Sequence, residues 1–121
     1  MIGYVTVGTK DLNRATEFFE ALLAPLNAKR FMETERAVYY AGGSGAIFGV
    51  TQPYDGDEAC VGNGVMVAIA AESREQVDAM HKHALELGGT DEGAPGERFA
   101  GFYAGYFRDL DGNKFNVFKM G

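Results

Sequence analysis

The chain begins with a strand pattern in which apolar and polar side chains alternate. Over residues 2–8, Val5 and Val7 fall on one face, and Tyr4 and Thr6 fall on the other. A period of two places successive side chains on opposite faces of a strand. The pattern therefore predicts a strand with one buried face and one open face.

A helical pattern follows this strand. Asp11 can cap the helix, because its carboxylate can accept a hydrogen bond from a free N–H group of the first turn. Pro25 interrupts the pattern. The apolar positions in between recur as one face of a helix does: Leu12, Ala15, Phe18, Phe19, Leu22 and Leu23. We expect this face to pack on the strand face that carries Val5 and Val7.

Three short strands are predicted next, over residues 28–32, 37–41 and 46–51. The Gly42-Gly43-Ser44-Gly45 run is expected to be a turn, because a strand pattern and not a helix start follows it, as a phosphate-binding loop would require. Residues 53–63 contain many turn formers and few apolar residues, which predicts a connector.

The pattern of the first half then begins again. Residues 64–71 form a predicted strand, Ser73 is a candidate helix cap, and Gly88-Gly89 ends the helix. The helical stripe between them consists of Val77, Met80, Ala84, Leu85 and Leu87. Moved along by 62 positions, Tyr4 falls on Met66 and the apolar residues of the two halves coincide. The chain therefore looks like a duplicated unit.

A hairpin pattern closes the chain over residues 106–118. An aromatic run stops at Asp109-Leu110-Asp111-Gly112-Asn113, and alternating apolar residues then resume. Short polar side chains stabilise tight turns by bonding to nearby backbone N–H groups. We expect Asp109 and Asp111 to stabilise this turn, and not to act as a catalytic pair of carboxylates.

The 121 residues, 46% of them hydrophobic, suffice for one α+β domain over 1–121. Its first module is predicted at about 1–52 and its second at about 64–121. The net charge of -6 and the absence of a Lys/Arg run disfavour nucleic acid and anionic membranes as partners. With no leader pattern, a cytoplasmic location is expected. Cys60 is predicted to be a free loop thiol.

Three segments carry a family resemblance. Arg108-Asp109-Leu110-Asp111-Gly112-Asn113 with its following strand, residues 5–19, and residues 93–98 resemble parts of the vicinal oxygen chelate superfamily, which includes glyoxalase I, extradiol dioxygenases and bleomycin-resistance proteins. The resemblance implies paired βαβββ modules that form a curved mixed sheet around a central cavity, with the helices outside. It also implies a small-molecule ligand and a homodimer. The fold alone does not fix the activity, because this architecture hosts unrelated chemistries.

The resemblance also indicates where a metal would be bound. The four positions fall on Tyr4, Met66, Asn116 and a residue near Phe48. Family members with metal chemistry use His, Gln or Glu there. Tyr and Asn are poor ligands for such ions, and Met prefers soft ones. We therefore expect no metal and no other cofactor.

Strand alternation predicts the lining of the cavity that the resemblance implies. The side chains expected there are Tyr4, Thr6, Phe48, Met66, Ala68, Lys114, Asn116 and Phe118. Arg98, Phe99 and Tyr103 are expected in a loop that could close over it. The favoured hypothesis is a metal-free cavity that binds a small aromatic or planar molecule, as in bleomycin-resistance proteins. Alternatively, the same side chains fill the space as a second core.

Two enzymatic alternatives remain open. In the first, the chain is a glyoxalase-like lyase or isomerase in which Tyr4 transfers a proton or stabilises an oxyanion, and Lys114 or Arg98 holds the substrate. In the second, it is a metal-dependent glyoxalase or dioxygenase with ligands from unexpected positions. His81 and His83 are not candidates, because residues two apart on a helix point to different sides. Both are expected to be solvated at the surface.

Overall fold

A computed structural model of the chain describes residues 1–42 and 45–121. The fold is α+β and consists of two βαβββ modules, as predicted. The chain divides into two compact units, Met1–Val61 and Gly62–Gly121. The predicted turn at Gly42-Gly43-Ser44-Gly45 lies partly outside the described residues.

The first unit contains one helix and a four-stranded sheet. Its elements are β1 (Tyr4–Gly8), α1 (Leu12–Leu23), a short 3₁₀ turn (Ala24–Leu26), β2 (Lys29–Glu33), β3 (Ala37–Ala41) and β4 (Ile47–Thr51). The strand order is β1-β4-β3-β2. Strands β1 and β4 are parallel, and the other two pairs are antiparallel. The helix and the four strands each lie within three residues of their predicted bounds, and the 3₁₀ turn was not predicted.

The first helix begins and packs as its sequence predicts. Asp11 Oδ1 accepts a hydrogen bond of 3.1 Å from the backbone N–H of Arg14, which satisfies one of the free donors of the first turn. The apolar stripe is buried except for the half-buried Leu12, and Leu22 is fully inaccessible to solvent. This stripe covers one face of the sheet, and the hydrophobic core of the unit lies there.

The second unit repeats this arrangement. Its elements are β5 (Val67–Ala70), α2 (Arg74–Glu86), β6 (Thr90–Phe99), β7 (Phe102–Arg108) and β8 (Lys114–Met120), in the sheet order β5-β8-β7-β6. Strand β5 is parallel to β8. The helix caps Asp11 and Ser73 are separated by the same 62 positions as the sequence repeat. The duplicated unit predicted from the sequence is therefore confirmed at the caps.

Neither described helix has the length and apolar character needed to cross a lipid bilayer.

Asp109 organises the turn between β7 and β8. Its carboxylate accepts hydrogen bonds from the backbone N–H groups of Asp111 and Asn113, at 2.9 and 2.8 Å, and from Asn113 Nδ2 at 2.9 Å. Burial raises the pKa of Asp109, and the donors from Asn113 and Asp111 act against that rise. The structural role predicted for Asp109 is confirmed.

The segment before β7 differs from its prediction. Residues 93–98 were expected to form a loop, but they belong to β6, which pairs with β7 through three shifts of register. Gly93 lies at one of these shifts with a φ of 153°. The strand was not predicted because Gly93, Pro95 and Gly96 are residue types usually found in turns.

The prediction that both histidines lie at the surface is wrong for His81. The residue is 5% exposed, and its Nε2 lies 3.1 Å from Asp91 Oδ1 and 3.1 Å from the Tyr106 carbonyl oxygen. Because a carbonyl and a carboxylate both accept, Nε2 carries the hydrogen. His81 therefore ties α2 to β6 and β7.

Candidate functional site

Each sheet has one face covered by its helix and one face without a helix, which we call the open face. In the second unit, the helix-covered face carries Phe107 and Phe115, whose rings stack 5.6 Å apart, and Gly105, which lies against His81. Alternation then assigns the other side chains of β5, β7 and β8 to the open face. They include Ala68, Phe102, Ala104, Tyr106, Lys114, Asn116 and Phe118.

Asn116 is the polar residue at the centre of this open face. It pairs in register with Ala68 of β5 and Tyr106 of β7, and it is 2% exposed. Its Oδ1 atom has no hydrogen-bond partner within the described part of the chain. Buried polar atoms are nearly always paired, and an unpaired one costs about 1–3 kcal/mol. This oxygen is therefore a candidate ligand contact.

Two cationic side chains lie close to the ring of Tyr106. The Arg98 guanidinium is 5.3 Å from the ring centroid, and the Lys114 ammonium is 5.7 Å from it. Arg98 comes from β6 and Lys114 from β8, the two neighbours of β7. Arg98 is held in place because its NH2 group donates a 2.6 Å hydrogen bond to the Ala94 carbonyl. Neither cation forms an ion pair with a carboxylate among residues 1–42 and 45–121.

Stacked aromatic rings extend the open face away from this charged region. The rings of Phe99 and Phe102 lie 4.8 Å apart and nearly parallel, and those of Phe102 and Phe118 lie 5.6 Å apart. Phe99 is largely exposed, and Phe118 is half-buried. The face therefore combines flat apolar surface with one amide and two cations.

The open face of the first unit carries Tyr4 and Thr6, as predicted. The Tyr4 ring stacks on Tyr39 at 5.9 Å and is 64% exposed. A Cβ atom at Gly49 would lie 3.1 Å from both Thr6 Cγ2 and Tyr39 Cδ2, so Gly49 lets these two side chains approach one another.

Phe48 does not lie on this open face. Its ring contacts Phe19 of α1 at 4.8 Å and stacks on Tyr40 at 6.5 Å, which places it on the helix-covered face. The predicted alternation of β4 is wrong by one residue. Because side chains alternate between the two faces of a strand, an error of one residue assigns each side chain to the wrong face. Phe48 is therefore half-buried against the helix in this unit.

Tyr103 also lies on the helix-covered side of its sheet. Its hydroxyl donates a 2.6 Å hydrogen bond to Asp78 of α2, and the Arg74 guanidinium lies 5.0 Å from its ring. The hydrogen bond to Asp78 raises the pKa of Tyr103. The predicted loop does not exist here, because Arg98 and Phe99 belong to β6 and Tyr103 belongs to β7.

Sequence reasoning missed three members of the open face, Phe102, Ala104 and Tyr106. All three follow from alternation along β7, where they share a face. The predicted hairpin begins at residue 106, whereas β7 begins four residues earlier, at Phe102. Met66, predicted within a strand, precedes β5 and is partly exposed.

A separate polar cleft of about 640 Å³ lies in the first unit. It includes Lys10, Arg36, Tyr54 and Glu58. Lys10 pairs with Glu58 at 3.0 Å, and the Arg36 guanidinium lies 4.7 Å from the Tyr54 ring. None of the predicted site residues lines this cleft.

The residues at the superfamily's metal positions do not fit a divalent ion. Tyr4 offers a phenol, Met66 a thioether and Asn116 an amide oxygen. At the fourth position, near Phe48, neither Phe48 nor its neighbours Ile47 and Gly49 carry a side-chain ligand atom. Such ions prefer several carboxylate or imidazole ligands. Within the described ranges, no three His, Cys, Asp or Glu side chains are grouped so that they could hold a metal.

Comparisons with known proteins agree with this fold. The profile of the Glyoxalase/Bleomycin resistance protein/Dioxygenase superfamily matches residues 1–117. A crystal structure of a glyoxalase/bleomycin resistance protein from Albidiferax ferrireducens T118 is 37% identical, with a TM-score of 0.90 over 98% of this chain and 97% of that one. A search of curated proteins finds no match.

Two further structures share the fold at lower identity. A glyoxalase/bleomycin resistance protein/dioxygenase family enzyme from Burkholderia phytofirmans PsJN is 17% identical, with a TM-score of 0.80 over 98% of each chain. Lactoylglutathione lyase from Agrobacterium tumefaciens is 19% identical, with a TM-score of 0.73 over 98% of this chain and 92% of that one. From the profile match and the 37% identical relative, the chain belongs to the glyoxalase/bleomycin resistance protein/dioxygenase superfamily.

Proposed function

We propose that this chain is a metal-independent small-molecule-binding protein of its superfamily. The open face of the second unit would bind a small planar or aromatic molecule. The observation that supports this proposal is the Asn116 Oδ1 atom, which is buried and has no hydrogen-bond partner within the described residues. A bound molecule that donates a hydrogen bond to this oxygen removes the cost of leaving it unpaired.

The aromatic side chains supply the apolar part of such a site. Phe102 and Phe118 offer ring faces for offset stacking, and Tyr106 lies directly across from Asn116 in the sheet. Small-molecule sites typically combine apolar walls with a few polar groups that orient the ligand. Lys114 and Phe118 flank Asn116 along β8 and are only half-buried.

The alternative of a second core explains this face less well. A position that only fills space is best occupied by an apolar side chain, because a buried amide without a partner destabilises the folded state. Val117 and Phe115, which face α2, are fully buried and apolar. Asn116 lies between them in sequence, but its side chain is on the open face. That position is buried and yet carries a polar side chain.

Binding of phenol tests the proposal, because phenol combines one aromatic ring with one hydroxyl donor. In a titration followed by ¹H–¹⁵N NMR, we expect the shift changes to concentrate on β7 and β8. Asn116→Leu should weaken binding about tenfold, as loss of one hydrogen bond does. Asn13→Leu, at an exposed position of α1, should leave the affinity unchanged. Scattered shift changes, or an Asn116→Leu variant of unchanged affinity, would refute the proposal.

Metal independence is tested separately. A metal that binds the native state raises the melting temperature by mass action. We expect no rise with Mn²⁺ or Zn²⁺, and we expect EDTA to leave phenol binding unchanged. A near-stoichiometric metal in protein purified without chelator would contradict this part of the proposal.

A further inference from the structure

The cationic side chains on the open face indicate the chemical class of the ligand. Four other cations, Lys10, Arg30, Arg74 and Arg108, form ion pairs with glutamates. Arg98 and Lys114 form none within the described residues, and neither do Arg14, Lys29, Arg36, Lys82 and Lys119. Of these cations, Arg98 and Lys114 lie against the same aromatic ring, in a chain with 17 acidic residues against 11 basic ones. Two cations on one ring in an acidic chain leave positive charge that an anion can neutralise.

Resting on the proposed function, we infer that the ligand is a small aromatic acid that also carries a hydroxyl or N–H donor. Its carboxylate binds Arg98 and Lys114 beside Tyr106, and its donor meets Asn116 Oδ1. A guanidinium presents several N–H groups in a fixed plane and an ammonium presents three, so both suit carboxylate oxygens.

The geometry places these functions close together. Tyr106 pairs in register with Asn116 across β7 and β8, and both cations lie within 6 Å of the Tyr106 ring centroid. The hydrogen bond from Arg98 to Ala94 uses NH2 and fixes the guanidinium over β6. Asn116 can only accept through its unpaired oxygen, so the ligand must supply the hydrogen at that end.

Three matched probes test the inference by isothermal titration calorimetry. 4-Hydroxybenzoate carries both functions, 4-hydroxybenzamide lacks the charge, and benzoate lacks the hydroxyl donor. We expect 4-hydroxybenzoate to bind at least about tenfold more tightly than either of the others, since each loses one charge-assisted or buried hydrogen bond.

Variants then assign the preference to its residues. Lys114→Met and Arg98→Leu should each reduce the ratio of the affinity for the acid to the affinity for the amide. Lys114→Arg keeps the charge and should retain the preference. Lys119→Met lies on the same strand but on the other face, and should change nothing. Circular dichroism melts confirm that each variant is folded.

The outcomes separate the two proposals. Equal affinity for acid and amide overturns the acid inference and leaves small-molecule binding intact. An acid preference that survives both Lys114→Met and Arg98→Leu overturns the assignment to these cations. If neither phenol nor any of the three probes binds, the proposed function fails and the inference fails with it.

Discussion

His81 Nε2 lies 3.1 Å from Asp91 Oδ1 and joins the buried face of α2 to the edge strand β6. The same nitrogen donates to the carbonyl of Tyr106, whose ring lies on the open face. Asp91 Oδ1 also accepts a hydrogen bond of 2.9 Å from the backbone N–H of Gly93. The backbone that carries the candidate site is therefore held from the helix side of the sheet.

The Asp91 contacts predict an acid-sensitive contribution to stability. Hydrogen bonds from the Gly93 N–H and then from His81 hold the pKa of Asp91 below its usual value. Such a carboxylate stabilises the fold above the pKa it has when unfolded, and the contribution is lost as the pH falls through its lower native pKa. We expect Asp91→Asn to lower the melting temperature at pH 7, and the difference from wild type to shrink below about pH 4.

Thermal melts across this range, with Asp57→Asn as an exposed control, measure the effect. A difference that grows towards acid would contradict the assignment.

Neighbouring tyrosines on opposite faces of β3 provide a matched pair of variants. Tyr40 is buried, and its hydroxyl donates a 3.0 Å hydrogen bond to Glu20, which also accepts from Arg30 at 2.6 Å. Burial and Glu20 both raise the pKa of Tyr40. Tyr40→Phe removes this donor and should cost about 0.5–1.5 kcal/mol in urea denaturation. Tyr39→Phe should stay within about 0.5 kcal/mol of wild type. Equal effects would show that the bond to Glu20 contributes nothing.

The turn before β8 should depend strongly on Asp109. Asp109→Ala leaves the N–H groups of Asp111 and Asn113 without their acceptor, in a partly buried turn. We expect a loss of about 1–3 kcal/mol in the free energy of unfolding. The exposed Asp57→Ala variant serves as the control and should stay within about 0.5 kcal/mol of wild type. If Asp109→Ala lowers the free energy of unfolding no more than the control does, water must accept the hydrogen bonds that the carboxylate accepts in the wild type.

Asn116 should show opposite effects on stability and on binding. Asn116→Leu replaces an unpaired buried amide with an apolar side chain of similar size, so we expect the free energy of unfolding to rise by about 1 kcal/mol while phenol binding weakens. Chemical denaturation and the NMR titration on the same sample measure both. A destabilised Asn116→Leu variant would indicate that the amide oxygen has a partner in solution.

The fold was predictable because its signals are local. Asp11 and Ser73 cap their helices, as the side-chain chemistry of caps predicts. The 62-residue repeat was found from apolar residues that recur at the spacing of one helix face in each half of the chain. The turn at Asp109 follows from the short polar residues around it. None of these features requires knowledge of distant contacts.

The errors concern contacts made over long distances in the chain. His81 is buried because Asp91 and the Tyr106 carbonyl arrive from two strands, which its own helix does not reveal. Phe48 was assigned to the wrong face because a one-residue error reverses a strand. Tyr103 was placed in a loop because Pro95 and Gly96 interrupt the strand pattern of β6.

Cys60 is the single cysteine of the chain, and it is exposed in the segment between β4 and β5. A maleimide dye or a nitroxide spin label can therefore be attached at one defined position without any substitution. The label would lie outside the helices and strands, and so would not disturb their packing. The natural chain thus already has a unique attachment point for fluorescence or paramagnetic experiments.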